Sequence, residues 1–276
     1  MPKSASPVPF VALALSLLCG PAAAQTAPTI VGWGNNSQGQ RNLPALPTSI
    51  VSVALGGGDL IAVLFNDGTV DARGANLPPV PNLPPGMTYL EVDLGGNHAL
   101  LRRSDNTIFV VGGAPYHASV PTLPFNMIYT QLDAGGTHNA ALRSDGFIVC
   151  WGTNHGGECN VPSLPVSTAY VEVVCGDKFT VARRTGGSVI SWGREFNTIY
   201  YPPNLPTGRT YTKIAAGENH ALALRNDGII VGWGGNNYGQ ISVPALPLGL
   251  TYVDVAAGDN HSIALRSDGI VVGWGH

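Results

Sequence analysis

A glycine that closes a short apolar run returns along this chain at positions 34, 74, 112, 152, 193, 234 and 275, at intervals of 40, 38, 40, 41, 41 and 41 residues. Self-similarity at a fixed period means that one supersecondary unit has been copied, and it restricts the fold to stacked or radially arranged repeats. The segments VALGGGDLIAVLFNDGTVDARG, VDLGGNHALLRRSDNTIFVVGG, LDAGGTHNAALRSDGFIVCWG, VVCGDKFTVARRTGGSVISWG, IAAGENHALALRNDGIIVGWG and VAAGDNHSIALRSDGIVVGWG are six copies of the unit.

Each copy divides into three short strands: an alternating run that ends in small residues, the HxxAL run, and a run ending in Trp-Gly in most copies. Asp-Gly stands between the second and third strands at 67–68, 145–146, 227–228 and 268–269, with Asp105-Asn106 and Gly186-Gly187 in the other copies. Such pairs tolerate positive φ, so a two-residue hairpin turn is expected there. The copies are joined by NLPALP, VPNLPPG, SVPTLP, NVPSLP, YPPNLP and SVPALP. Proline removes a donor, so these connectors run extended at a sheet edge and cannot be central strands.

Small residues close the first strand (Ala134, Ala215-Ala216, Ala256-Ala257), and Trp33, Trp151, Trp192, Trp233 and Trp274 stand on the third. Narrow residues inboard and indoles in the widening space outboard suit a ring of sheets. A linear solenoid would want distinct end caps, which the repeats do not show. The expected fold is therefore all-β, a propeller of six complete three-stranded blades. Residues 29–34 form an orphan N-terminal third strand. They imply a seven-blade register whose closure is incomplete, the chain stopping one strand pair short; the alternative is a six-bladed ring with a redundant strand.

The first residues have the build of a secretory signal: Lys3, the apolar run FVALALSLLC and then Ala22-Ala23-Ala24. Ten apolar residues fall well short of the roughly 20 that span a bilayer as a helix, so no membrane span is expected. Bulky Leu18 before Cys19 argues against a lipobox. Residues 1–24 are thus assigned as a signal peptide and 25–276 as the propeller, in a secreted or periplasmic, cell-envelope setting. Without the signal the chain carries 13 basic and 17 acidic residues. That balance disfavours nucleic acid, whose binding rests on neutralising phosphates. Cys150, Cys159 and Cys175 remain, and an oxidising compartment permits one pair among them; the spacing does not choose which.

The string AAGxNHxxALRxDGxxVGWGxNxxGQ, complete at residues 215–240, resembles the repeat of the regulator-of-chromosome-condensation family. The short repeat and the VPxLP connector are more similar to its secreted bacterial branch, which includes β-lactamase inhibitor protein II. The resemblance implies a propeller, typically of seven blades, that binds proteins through loops on one face. It does not imply one activity.

The recurrent histidines His98, His138, His220 and His261 share their column with Leu60 and Phe179. A ligand ring interrupted by apolar residues is poor, so these are expected to be structural imidazoles satisfied by neighbouring backbone, with no metal and no cofactor. The Asp column at 67, 105, 145, 227 and 268 offers one acid per turn where calcium loops need several, and the adjacent Arg103, Arg143, Arg225 and Arg266 are expected to extend to solvent. No nucleophile elbow, phosphate loop or catalytic carboxylate pair is present, which points away from an enzyme.

What varies is the loop after the third strand: NNSQGQ, ANL, APYHA, TNHGGE, REFNTIYY and GNNYGQ. Aromatics and Arg dominate binding hot spots, and loops on a rigid scaffold carry recognition. Arg194, Glu195, Phe196, Tyr200 and Tyr201, with Tyr116, His117, His155 and Tyr238, are therefore the candidate partner-binding residues. The expected function is that of an exported, monomeric, non-enzymatic scaffold for an unidentified protein. A structural or adhesive surface repeat and an inhibitor of a penicillin-recognising enzyme are the alternatives.

Overall fold

The computed structural model describes residues 49–57, 60–74, 77–193 and 201–276. The signal-like segment 1–24, the orphan strand at 29–34 and the ring closure that depends on it lie outside the described residues, as do Arg194, Glu195, Phe196 and Tyr200.

Among the described residues, eighteen strands form six antiparallel sheets of three, each in the order first, second, third. The first blade is β1 (Ile50–Gly56), β2 (Leu60–Phe65) and β3 (Val70–Arg73). The second is β4 (Tyr89–Leu94), β5 (His98–Arg103) and β6 (Ile108–Gly112); the third is β7 (Tyr129–Ala134), β8 (His138–Arg143) and β9 (Ile148–Gly152). The fourth is β10 (Tyr170–Cys175), β11 (Phe179–Arg184) and β12 (Val189–Gly193); the fifth is β13 (Tyr211–Ala216), β14 (His220–Arg225) and β15 (Ile230–Gly234). The sixth is β16 (Tyr252–Ala257), β17 (His261–Arg266) and β18 (Val271–Gly275).

The arrangement is radial. The first-strand ends of all six blades, at 53–57, 93–96, 134–136, 175–177, 216–218 and 257–259, line one central cavity of about 420 Å³. Small residues are required there because the blades crowd: a Cβ on Gly95 would lie 2.4 Å from the Gly135 carbonyl oxygen and 2.4 Å from the His98 ring. Backbone bonds run from blade to blade at this rim, from Gly96 N to Gly135 O and from Asp177 N to Glu218 O.

Apolar seams hold the blades together. Trp151 packs with Leu100 of the preceding blade, Trp192 with Ala140 and Leu142, and Trp233 with Phe179 and Val181. All three indoles are buried, as expected of residues wedged between sheets. The innermost strand has one edge without a ladder, and buried N–H groups need acceptors. Side chains of the preceding blade supply them: Glu91 accepts from Leu132 N, Asp93 from Ala134 N, Gln131 from Val173 N, Asp133 from Cys175 N and Glu172 from Ile214 N.

The proline connectors are pinned by the tyrosine that opens each following first strand. The hydroxyls of Tyr89, Tyr129, Tyr170, Tyr211 and Tyr252 donate to the carbonyls of Pro81, Pro121, Pro162, Pro203 and Pro244, always eight residues upstream, at 2.7–2.9 Å. Connector residues Leu83, Leu123, Leu164, Leu205 and Leu246 pack into the seams.

The hairpin turns differ from the two-residue form expected. Gly146 N donates to Arg143 O and Arg143 N donates to Phe147 O, enclosing three loop residues, and in the Asp-Gly copies only the glycine has positive φ. This is a type I turn with a bulge glycine. The aspartate's role is local: its carboxylate receives the N–H two residues on, as in Asp105 to Thr107. The arginines fold back onto the same aspartates, Arg143 on Asp145 and Arg225 on Asp227, rather than extending into solvent.

Candidate functional site

The path of the chain fixes which loops share a face. In each described blade the turn joining the first two strands and the end of the third strand lie at the same end, while the hairpin between the second and third strands lies at the other. Backbone bonds tie the two sets at the first end: Gly113 N donates to Asn97 O, Thr153 N to Thr137 O and Gly235 N to Asn219 O.

Three of the variable loops are closed by one device. At its end each loop places a buried residue, His117, Glu158 or Gln240, whose side chain turns back to accept a backbone N–H of its own loop. Ala114 N donates to His117 Nδ1 at 3.2 Å, Gly156 N to Glu158 Oε2 at 2.7 Å and Tyr238 N to Gln240 Oε1 at 2.9 Å. The main-chain carbonyl of the same residue accepts the indole N–H of the next blade: Trp151 on His117, Trp192 on Glu158 and Trp274 on Gln240, at 2.7–2.9 Å. Burial alone would raise the Glu158 carboxyl, but the N–H groups of Glu158 and Gly156 and the Thr153 hydroxyl outweigh it and hold the group below the usual range.

The candidate residues therefore separate. Tyr201 is 66% exposed and Tyr238 53%, and His155 is exposed as well. Tyr238 also touches His276, with ring centroids 5.1 Å apart. Tyr116 lies in a short 3-10 turn, Pro115–Ala118. His117 does not reach solvent: it is 1% exposed and stacks on His98, centroids 4.0 Å apart. Its place in register with Glu158 and Gln240 is the signal available in the sequence, since GGE and YGQ end their loops at the position of His117. The loop at 153–158 is further tied by the Cys150–Cys159 disulfide, leaving Cys175 as a buried free thiol.

The recurrent histidines are structural, though not in the way expected. His138 Nε2 meets Thr180 Oγ1 and His220 Nε2 meets Ser262 Oγ, both at 2.8 Å, and His98 Nε2 lies 2.5 Å from the Asn139 amide. Their Nε2 atoms are thus satisfied by a side chain of the next blade, not by backbone. Where the column holds Leu60 or Phe179, the next blade carries Ala99 or Ala221 instead. Burial pushes His98, His138 and His220 down to about 4, so all are neutral near pH 7. Among the described residues no group of His, Cys, Asp and Glu could hold a metal ion, and no helix is long and apolar enough to cross a membrane.

The family model of the regulator of chromosome condensation (RCC1) repeat matches residues 211–240 and 252–276, the last two blades. Prp20p from Saccharomyces cerevisiae, whose crystal structure was described with its binding properties to Gsp1p and histones, superposes with a TM-score of 0.69 at 20% identity. That match covers 82% of this chain and 72% of Prp20p. The chain has an RCC1-like propeller fold. The CRINKLY WD40 ectodomain of the Arabidopsis thaliana receptor kinase ACR4 is similar to the same degree, with a TM-score of 0.68, 21% identity and coverage of 89% of this chain and 87% of that one. A search of curated protein sequences gave no match.

Proposed function

We propose that this RCC1-like propeller is an exported, non-enzymatic scaffold that binds another protein through the loops following its third strands, and that it belongs with the secreted bacterial branch of the repeat family. Repeats of this kind commonly serve as protein-binding scaffolds. The observation that carries the reading is the contrast within one face. The loop ends are locked to a rigid core through His117, Glu158 and Gln240, while His155 and Tyr238 of the same loops are left exposed. Rigid backbone beneath exposed aromatics lowers the ordering cost of binding. The Cys150–Cys159 bond supports an oxidising compartment and hence export.

The test is capture from envelope extracts with the wild type, a Phe196→Ala/Tyr200→Ala variant and a His155→Ala/Tyr238→Ala variant. One dominant, stoichiometric partner lost in at least one variant is the expected result. Diffuse capture equal in all three would replace the reading with that of an adhesive surface repeat. Inhibition of β-lactamase hydrolysis by the purified chain would name a penicillin-recognising enzyme as the partner class.

A further inference from the structure

His117, Glu158 and Gln240 do the same mechanical task with three different chemistries. Each accepts one N–H of its own loop, and each is buried with its carbonyl on the next blade's tryptophan. A carboxamide acceptor does not titrate, a carboxylate loses its acceptor strength only near pH 4, and an imidazole nitrogen is abolished as an acceptor when it takes a proton.

The protonation state of His117 is fixed by its neighbours. Nε2 stands 3.1 Å from the Thr137 carbonyl, which can only accept, so Nε2 carries the hydrogen. Ala114 N–H can only donate, so Nδ1 must offer its lone pair. A proton taken from solvent adds at Nδ1, and two donors, Nδ1–H and Ala114 N–H, then face each other. The released N–H is left without its acceptor while the ring becomes a cation stacked on a second imidazole.

We propose that the 113–118 loop is an acid-opened latch in which protonation of His117 expels the loop end from the propeller, while the equivalent loops closed by Glu158 and Gln240 remain shut. The device acts in the free protein and does not depend on the partner-binding reading. Among the described side chains, His98 of β5 stacks against His117 and His138 of β8 also bears on it; Glu158 acts on His138 and favours its charged form. Burial lowers the His117 titration below the ordinary histidine value, so opening belongs below about pH 6.5. Because the His117 carbonyl also holds Trp151 Nε1, opening loosens the seam between the second and third blades at that indole.

The experiment is peptide-resolved hydrogen exchange on the full chain from pH 7.5 to 4.5, corrected for the intrinsic pH dependence of exchange. Corrected exchange in 113–118 should accelerate roughly tenfold as the Ala114 N–H loses its partner, with 235–240 unchanged. His117→Gln, which installs the Gln240 solution, should keep 113–118 protected throughout. Gln240→His should transfer acid opening to 235–240, and provides a reading should His117→Gln not fold. A His98→Phe/Asn139→Ala variant, which copies the Phe179 and Ala221 pair, should retain the acid response. Equal corrected exchange of 113–118 at both pH extremes, no gain in Gln240→His, or loss of the response in the His98 variant would each overturn the proposal.

Discussion

The bond between His220 and Ser262 offers a quantitative check on how the blades are joined. His220 Nε2 lies 2.8 Å from Ser262 Oγ, and that hydroxyl donates its hydrogen to the Gln240 carbonyl at 2.7 Å. The imidazole must therefore be the donor to Oγ. Ser262→Ala strands a buried Nε2–H and should cost about 1–3 kcal/mol. His220→Phe removes the donor but leaves the hydroxyl on Gln240, a loss of about 0.5–1.5 kcal/mol for one hydrogen bond. The larger ring is accommodated, since Phe179 already occupies this column above Gly176 with Ala221 across the seam. The double variant recreates that apolar pair and strands nothing, so a double-mutant cycle should show favourable coupling of about 1–2 kcal/mol. Urea unfolding at pH 7.5, followed by tryptophan fluorescence, measures all four corners. Additive costs, agreeing within about 0.5 kcal/mol, would refute the proposed blade-to-blade donor.

Acid should weaken the fold between about pH 6.5 and 4. The buried His98, His138 and His220 titrate near 4 in the folded chain and near 6.5 in the unfolded chain. The unfolded state thus takes up the protons first, and at pH 5 each buried imidazole should have lowered stability by about 2 kcal/mol, measurable by urea unfolding against pH. Asp93 has the opposite sign: burial pushes its carboxyl up to about 7, so ionisation costs stability as pH rises from near 4 to 7. Asp93→Asn, which keeps an acceptor for Ala134 N, should raise the melting temperature at pH 8 and leave it unchanged at pH 4. Trp233→Ala should cost about 3–5 kcal/mol, because the indole is 5% exposed between the fourth and fifth blades. Tyr211→Phe, which removes the bond to Pro203 O, should cost about 1 kcal/mol in chemical denaturation.

The strands, their order within each blade and the inward placement of small residues are legible in the sequence because every copy repeats the same alternation in phase. The tryptophan seams are legible for a related reason: only the spaces between radiating sheets widen enough for an indole. The turn type is not. Asp-Gly suits both a two-residue turn and a three-residue loop with a bulge, and the choice rests on whether Arg143 N reaches Phe147 O, a pairing that no local motif specifies. The histidines read as structural, but their partners stand 41 or 42 residues away. Comparing each column with the next residue of the following copy finds them, through Leu60 with Ala99 and Phe179 with Ala221. His117 reads as a surface residue because its loop, APYHA, lacks the glycines that align TNHGGE with GNNYGQ.

Adjacent sheets share no continuous ladder along their first strands; Glu91, Asp93, Gln131, Asp133 and Glu172 bridge them instead. Such joints are made of rotatable bonds, so the angle between neighbours can adjust by small torsional changes, whereas backbone pairing would tear. Each joint also draws one half from either side. Deletion of the third unit, for example, would bring Glu91 and Asp93 of the second blade against the strand that Gln131 and Asp133 now serve, with both halves of the joint present, while a cut inside a unit leaves halves that do not match. A molecule assembled this way should grow or shrink in whole steps, with each inserted unit bringing its own loop to the same face.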